Sequence, residues 1–218
     1  MSVTDGGATG PSSWRPGDVI DGRYEVLAEL GRGGMGVVHR VLDREWGIDL
    51  AVKSPRSDLF RDARDRELFV DEAEVWVRLG LHPNVCGCHN VRMLDGVPRV
   101  FAEYVAGGSL AEWIADRQLY AGEQSAVLAR ILDVAIQLAW GLAHAHAHDG
   151  GLVHQDVKPA NVLLEVSAGG AVTAKVTDFG LAKARAVVTA ERDAPAGVSI
   201  LISSGGMTLA YASPEQAE

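Results

Sequence analysis

Two acids and an amide, spread over two short segments, form the pattern with the clearest chemical meaning. Asp156 and Asn161 stand at a spacing that suits a single backbone turn, and Asp178 follows in a Thr-Asp-Phe-Gly segment. A carboxylate at the start of such a turn can accept or orient a hydroxyl proton, while Asn161 and Asp178 offer hard oxygen ligands for Mg²⁺. Lys158 would steady a transferring phosphate. The pattern predicts phosphoryl transfer from a magnesium nucleotide to a hydroxyl.

A glycine-rich segment lies upstream of these residues. Gly31, Gly33 and Gly36 form a Gly-x-Gly-x-x-Gly run, in which backbone amides can approach phosphate oxygens without a Cβ clash. A dinucleotide site shares these glycines but needs a helix directly after the third one, whereas strand-like valines follow here. A plain hairpin turn is the alternative explanation for the glycines when they are taken alone.

Lys53 ends an apolar strand-like segment, where a lysine is usually a solvated charge. After a glycine-rich hairpin it can instead reach the α- and β-phosphates of a nucleotide, and it then needs a carboxylate to hold it. We take Glu72 as that carboxylate and Glu74 as the second choice, because the register of the helix that carries them rests on the sequence alone.

The composition excludes several classes of protein. An apolar fraction of 47% in 218 residues is enough for a core, and the net charge of −9 argues against nucleic acid as the main partner. Two cysteines cannot form a disulfide framework, so a reducing compartment is expected. Neither an uncharged apolar stretch of about 18 residues nor a signal-peptide pattern is found, so we predict no membrane segment and a cytoplasmic location.

The hydrophobic pattern predicts strands first and helices afterwards, which indicates an α+β protein with two lobes. Residues 1–16 are rich in Gly, Ser, Thr and Pro and are expected to form a flexible leader. The predicted elements are strands at 24–30, 36–42, 49–53 and 97–104, a helix at 61–79, a short helix starting after Ser109, a long and largely buried helix at 126–148, and a hairpin of 162–164 with 174–177.

Together these segments resemble the catalytic domain of bacterial Hanks-type serine/threonine protein kinases, over about residues 20–218. Lysine two places after Asp156 is typical of Ser/Thr rather than Tyr kinases. The residues that carry the resemblance are Gly31, Gly33, Gly36, Val38, Ala51, Lys53, Glu72, Asp156, Lys158, Asn161 and Asp178.

The resemblance implies a two-lobed fold with a small antiparallel N-lobe sheet carrying one helix, at 17–104. It implies a mainly helical, partial C-lobe at 105–218, which ends after a Ser-Pro-Glu motif. It also implies ATP with Mg²⁺ (or Mn²⁺) as cofactors and protein Ser/Thr hydroxyls as substrates. The chain would then be a cytoplasmic protein or the cytoplasmic domain of a longer, membrane-anchored one.

By the same resemblance, Val38, Ala51 and Leu163 would sandwich the adenine, and the backbone from Glu103 to Val105 would bind its edge. A second set of implied roles concerns support and substrate: Phe179 and His154 would stack with Trp76, and Thr208 would meet the substrate hydroxyl near Asp156.

Three positions depart from the pattern of the family. Gln155 stands where regulated kinases carry an arginine that pairs with a phosphorylated activation loop, so we expect little dependence on loop phosphorylation. Ala102 falls at the gatekeeper position, where a bulkier side chain is usual, so an enlarged pocket behind the adenine is expected. Met207 replaces a glycine before Thr208 and leaves the register there open.

Other functions remain open at this point. A nucleotide-binding pseudokinase or scaffold would share these motifs without phosphate transfer. His144 and His148 share a helix face and could bind a metal, although histidines of ordinary helix-end or core type are the more common case. Cys86 and Cys88 could suggest zinc, but two small buried thiols are the simpler interpretation.

Overall fold

A computed structural model describes residues 14–33, 36–148, 151–181 and 209–213. Within these residues, six antiparallel strands form one sheet in the order β1-β2-β3-β4-β6-β5. The sheet strands are β1 Val19–Ile20, β2 Tyr24–Gly33, β3 Gly36–Asp43, β4 Ile48–Pro55, β5 Cys88–Leu94 and β6 Val97–Glu103. Besides short 3-10 helices, the described residues form α1 Ala63–Arg78, α2 Leu110–Ala115, α3 Gln124–Ala147 and the hairpin of β7 Val162–Val166 with β8 Val172–Val176.

The β2–β3 hairpin extends as far as the glycine-rich segment, where Gly33 pairs with Gly36. Gly36 has φ +145°, and a Cβ there would overlap the carbonyl oxygen of Ser54 on the neighbouring strand β4. Only glycine fits this close approach of two backbones. Gly36 is therefore required by the packing of the sheet, in addition to any contact with a phosphate.

Helix α1 begins at Ala63, with the Asp62 side chain accepting a hydrogen bond from the Asp65 amide at 3.0 Å. This cap satisfies one of the amides that lack a partner in the first turn. The helix buries Phe69, Ala73 and Trp76, which belong to the same apolar cluster as Phe179. The segment around Asp178 is thus packed against α1, which links the two lobes through one core.

Helix α3 is less buried than its apolar sequence predicts. It buries Val134, Gln137, Gly141 and Ala145, a single stripe that packs against β8 and its surroundings. The prediction of burial on most sides was wrong, because a second apolar stripe lies exposed on the helix. That stripe consists of Leu128, Leu132, Ile136 and Trp140, all about half exposed.

By length and composition, α3 is also the one helix among the described residues that could cross a membrane. A single helix of this kind is weak evidence, since core helices of other proteins pass the same test. Here Gln137 of α3 binds the Asn84 side chain at 3.0 Å and the Ala174 amide at 2.8 Å. The bond to Ala174 holds the helix against the β7–β8 hairpin, and Asn84 also donates to the Ala174 carbonyl oxygen at 3.0 Å.

Two features of the N-lobe depart from the prediction. Strand β5 was not predicted, because polar residues interrupt its apolar pattern and its burial does not alternate regularly along the strand. Trp14, placed in the flexible leader by its sequence, is buried and packs on His39 with ring centroids 5.6 Å apart. Residues 1–13 of the proposed leader lie outside the described part of the chain.

Candidate active site

The first motif segment forms an irregular turn that ends in a 3-10 turn, Pro159–Asn161. Buried His154 donates from Nε2 to the Thr177 carbonyl oxygen at 2.8 Å, and its Nδ1 accepts the Asp156 amide at 3.3 Å. These two bonds require the neutral tautomer with the proton on Nε2. Burial lowers the pKa of His154, which also favours the neutral ring.

Asp156, Lys158 and Asn161 converge within this turn. The Asn161 amide nitrogen donates to the Asp156 carbonyl oxygen at 2.8 Å and to its Oδ2 at 3.1 Å. Lys158 Nζ lies 2.7 Å from the same Oδ2. Because the nitrogen of the Asn161 amide holds the turn together, its oxygen is the atom left to act as a metal ligand.

The second motif segment lies directly beside the first. The Thr177 amide donates to the Asn161 carbonyl oxygen at 3.0 Å, and the Phe179 ring lies 4.7 Å from that of His154. Asp178 has φ +69°, an uncommon conformation for a residue with a Cβ. The Asp178 side chain in this conformation forms an ion pair with β4, in which Oδ2 lies 2.6 Å from Lys53 Nζ.

Glu72 and Glu74, the two carboxylates considered as partners of Lys53, lie on different sides of α1. Glu72 is half-buried, and a Cβ on Gly180 would come within 2.6 Å of its backbone oxygen. Glu74 is exposed and lies 3.7 Å from Arg78 on the outer face of the helix. The geometry therefore supports Glu72 over Glu74 as the residue on the site's side of the helix.

The residues expected around an adenine lie on adjoining strands. Ala51 of β4 pairs with Ala102 of β6, and Val38 of β3 pairs with Lys53. Leu163 of β7 forms a bridge with Ser109 on the C-lobe side. Val38, Ala51 and Leu163 are each half-buried, which suits the walls of an open cleft. The connector, defined here as residues 103–105, begins with the last residue of β6 and joins the two lobes.

The donor set fits a magnesium nucleotide. Asn161 and Asp178 present an amide and a carboxylate, the oxygen ligands that Mg²⁺ prefers. Lys53 supplies a cation next to Asp178, and added Cβ atoms at Gly31 and Gly33 would meet no atom within 4 Å. Open space above these glycines leaves room for phosphates beside the backbone.

The alternative metal sites find no support in the described residues. No group of three or more His, Cys, Asp and Glu side chains is arranged there to hold a metal. The His144 ring stacks on His82 at 4.6 Å and contacts the Leu79 carbonyl oxygen at 2.9 Å. Burial raises the pKa of the Cys86 thiol to about 12, so it remains protonated, and burial also raises the pKa of Cys88.

Several sequence-based assignments lie outside the described residues. Thr208, expected near Asp156, and Met207 beside it belong to this group. Conversely, sequence reasoning missed one contact at the connector, where Lys175 of β8 contacts the Glu103 side chain. A lysine three residues before Asp178 could have drawn attention to this position, but nothing in the sequence indicated that Glu103 would be its partner.

Residues 24–217 match the model of the protein kinase domain family, so the chain belongs to that family. A probable serine/threonine-protein kinase of Corynebacterium efficiens is 33% identical over 91% of this chain and 28% of that protein. Serine/threonine-protein kinase PknJ of Mycobacterium tuberculosis is 34% identical over 91% of the chain and 30% of that protein. The chain thus spans less than a third of the length of these curated relatives.

Solved structures show the same fold. The crystal structure of the PknI kinase domain of Mycobacterium tuberculosis is 30% identical in sequence and superposes with a TM-score of 0.62. The match covers 78% of this chain and 64% of that one. The predicted two-lobed kinase fold, with a curled antiparallel sheet and helical elements, is confirmed by this match and by the family model.

Proposed function

We propose that this chain carries the catalytic site of a serine/threonine protein kinase, which transfers the γ-phosphate of ATP to Ser or Thr hydroxyls of proteins. One observation carries the proposal: His154, Asn161 and Thr177 hydrogen-bond the two motif segments into a single site. Family membership and relatives named as serine/threonine kinases support the reaction class.

In this proposal, Asp156 accepts or orients the substrate hydroxyl's proton, and Lys158 steadies the transferring phosphate. Asn161 and Asp178 would hold Mg²⁺, which would offset the negative charge of the phosphates when bound. Lys53 holds the α- and β-phosphates and is itself held by Glu72. The 2.7 Å contact between Lys158 and Asp156 supports this grouping, since one cation already lies beside the proposed base.

The nucleotide would bind between the lobes. Val38 and Ala51 would cover the adenine from the N-lobe and Leu163 from the C-lobe, while the backbone of Glu103 and Val105 binds its edge. The amides at Gly31, Gly33 and Gly36 would approach the phosphates. The pairing of Ala51 with Ala102 supports this arrangement, because it sets the adenine wall beside the strand that leads into the connector.

We further propose an N-lobe at 17–104, a partial C-lobe at 105–218 and a cytoplasmic location. Free, protonated thiols at Cys86 and Cys88 are compatible with a reducing compartment. Protein substrates with Ser or Thr hydroxyls, rather than nucleic acid, suit the net charge of −9.

The test compares two labels on the nucleotide. The full gene product is incubated with Mg²⁺, a generic basic protein and ATP labelled in the γ- or the α-phosphate. We expect label from the γ-position alone, recovered on phosphoserine or phosphothreonine. Binding of Mg-ATP without any transfer would overturn the proposal and favour a nucleotide-binding scaffold.

A further inference from the structure

A charged cluster joins the connector to the strand that leads to Asp178. Lys175 Nζ contacts Glu103 Oε1 and lies 3.5 Å from Glu165 Oε2. The second oxygen of Glu103, Oε2, accepts a hydrogen bond from the Gly87 amide at 3.1 Å. Both oxygens of the Glu103 carboxylate are therefore engaged, one by each lobe.

Lys175 is well shielded from water, whereas Glu165 at the edge of the cluster is 54% exposed. The Lys175 side chain is only 12% exposed, against 32% for Glu103. Burial lowers the pKa of Lys175, but the hydrogen bond to Glu103 and the charges of Glu103 and Glu165 raise it more, so the net shift is upward. Lys175 therefore stays charged, and removing it would leave a partly buried carboxylate uncompensated.

The cluster lies where it can affect the position of the backbone proposed to bind the nucleotide. Glu103 ends β6 and begins the connector, and its amide donates to the Gly87 carbonyl oxygen at 2.8 Å. Lys175 lies opposite Leu163 in the β7–β8 hairpin, which places the same lysine beside the proposed adenine wall. A shift of Glu103 would move the backbone groups proposed to bind the adenine edge.

We propose that Lys175 is a positioning residue, which fixes the Glu103 backbone through its side chain and thereby sets the affinity for ATP. This inference rests on the proposed kinase function. Lys175 touches neither the proposed base nor the metal ligands in the contacts seen among the described residues, so its effect falls on nucleotide binding. A substitution that weakens binding equally in the ground state and the transition state raises KM and leaves kcat unchanged.

The test uses three variants of the full gene product: Lys175→Met, Lys175→Arg and the control Arg44→Met. Arg44 pairs with Glu25 at 2.9 Å on the exposed N-lobe surface, so its loss removes a similar charge from an ion pair that does not include Glu103 or Lys175. We expect Lys175→Met to raise KM for ATP about five- to tenfold with kcat within about twofold. Lys175→Arg should recover most of the affinity, and Arg44→Met should leave KM unchanged.

A double-mutant cycle separates this role from general stabilisation. Glu103→Gln should raise KM as well, and adding it to Lys175→Met should raise KM little further, because the two changes break the same contact. An unchanged KM in Lys175→Met, or an equal rise in Arg44→Met, would overturn the inference while wild-type transfer continues. Absence of transfer in the wild type would instead overturn the proposed function.

Discussion

Lys53 Nζ lies 2.6 Å from Asp178 Oδ2, a contact between residues 125 positions apart in the chain. It joins the third long strand of the N-lobe to the turn after β8. Both groups are expected to engage a magnesium nucleotide, Lys53 through phosphates and Asp178 through the metal. Under the proposed function, Mg²⁺ held by Asp178 would compete with Lys53 for the same carboxylate, so nucleotide binding would redistribute this ion pair.

The two acids of α1 offer a matched pair for testing the partner of Lys53. Glu72→Gln should lower phosphate transfer about 100-fold, because Lys53 would lose the group proposed to position it. Glu74→Gln should change the rate by less than about twofold, since Glu74 lies exposed beside Arg78. Steady-state rates of both variants decide the question, and equal losses would contradict the assignment of Glu72.

Gln155 predicts activity that depends little on loop phosphorylation. It is exposed, with φ +64°, and a neutral amide offers a phosphate no opposite charge. Phosphatase treatment should change the wild-type rate by less than about twofold, and Gln155→Arg should make the rate depend on phosphorylation. A large loss of wild-type activity on dephosphorylation would contradict this interpretation.

Ala102 predicts tolerance of bulky inhibitors at the adenine site. Its side chain is buried on β6, opposite Cys88 on one neighbouring strand and Ala51 on the other. Ala102→Met should weaken the binding of such inhibitors about tenfold or more, because the longer side chain would fill the space behind the adenine. Competition titrations measure this, and unchanged affinity would show that Ala102 does not border the pocket.

The two stripes of α3 predict opposite outcomes for neighbouring substitutions. Leu132 is 52% exposed and Val134 only 4%. Leu132→Ser should change the free energy of unfolding by less than about 0.5 kcal/mol and reduce aggregation of the chain. Val134→Ser should lower that free energy by about 2 kcal/mol or more, through lost packing and a buried hydroxyl. Chemical denaturation and light scattering test both, and similar losses of stability would contradict the two-stripe description.

The sequence predicted the local elements well where the hydrophobic pattern is strong. The strands at 24–30, 36–42 and 97–104 and the capping box of Ser109 with Glu112 are confirmed, the strands with longer bounds or small shifts. Strand β5 escaped notice because Asn90 and Arg92 interrupt its apolar pattern. Its position is set by pairing with β6, a long-range contact that composition alone does not reveal.

The prediction that α3 is buried on most sides failed for a related reason. An apolar helix surface indicates a tendency to be covered, but which stripe packs on β8 depends on close approach. Gly141 decides this, because a Cβ there would overlap the Asn84 carbonyl oxygen. The pairing of Lys175 with Glu103 was likewise invisible in sequence, since the two residues lie 72 positions apart and neither belongs to a motif.

The most direct test of the proposed catalytic site is the rate of γ-phosphate transfer by Asp156→Asn at saturating Mg-ATP, with the nucleotide Kd measured in parallel. Asp156 Oδ2 binds Lys158 at 2.7 Å and Asn161 at 3.1 Å, so the isosteric amide perturbs charge more than shape. We predict a loss in kcat of about 10²- to 10⁴-fold with little change in Kd. A variant that transfers phosphate at the wild-type rate would contradict the proposed role of Asp156 and the catalytic site built around it.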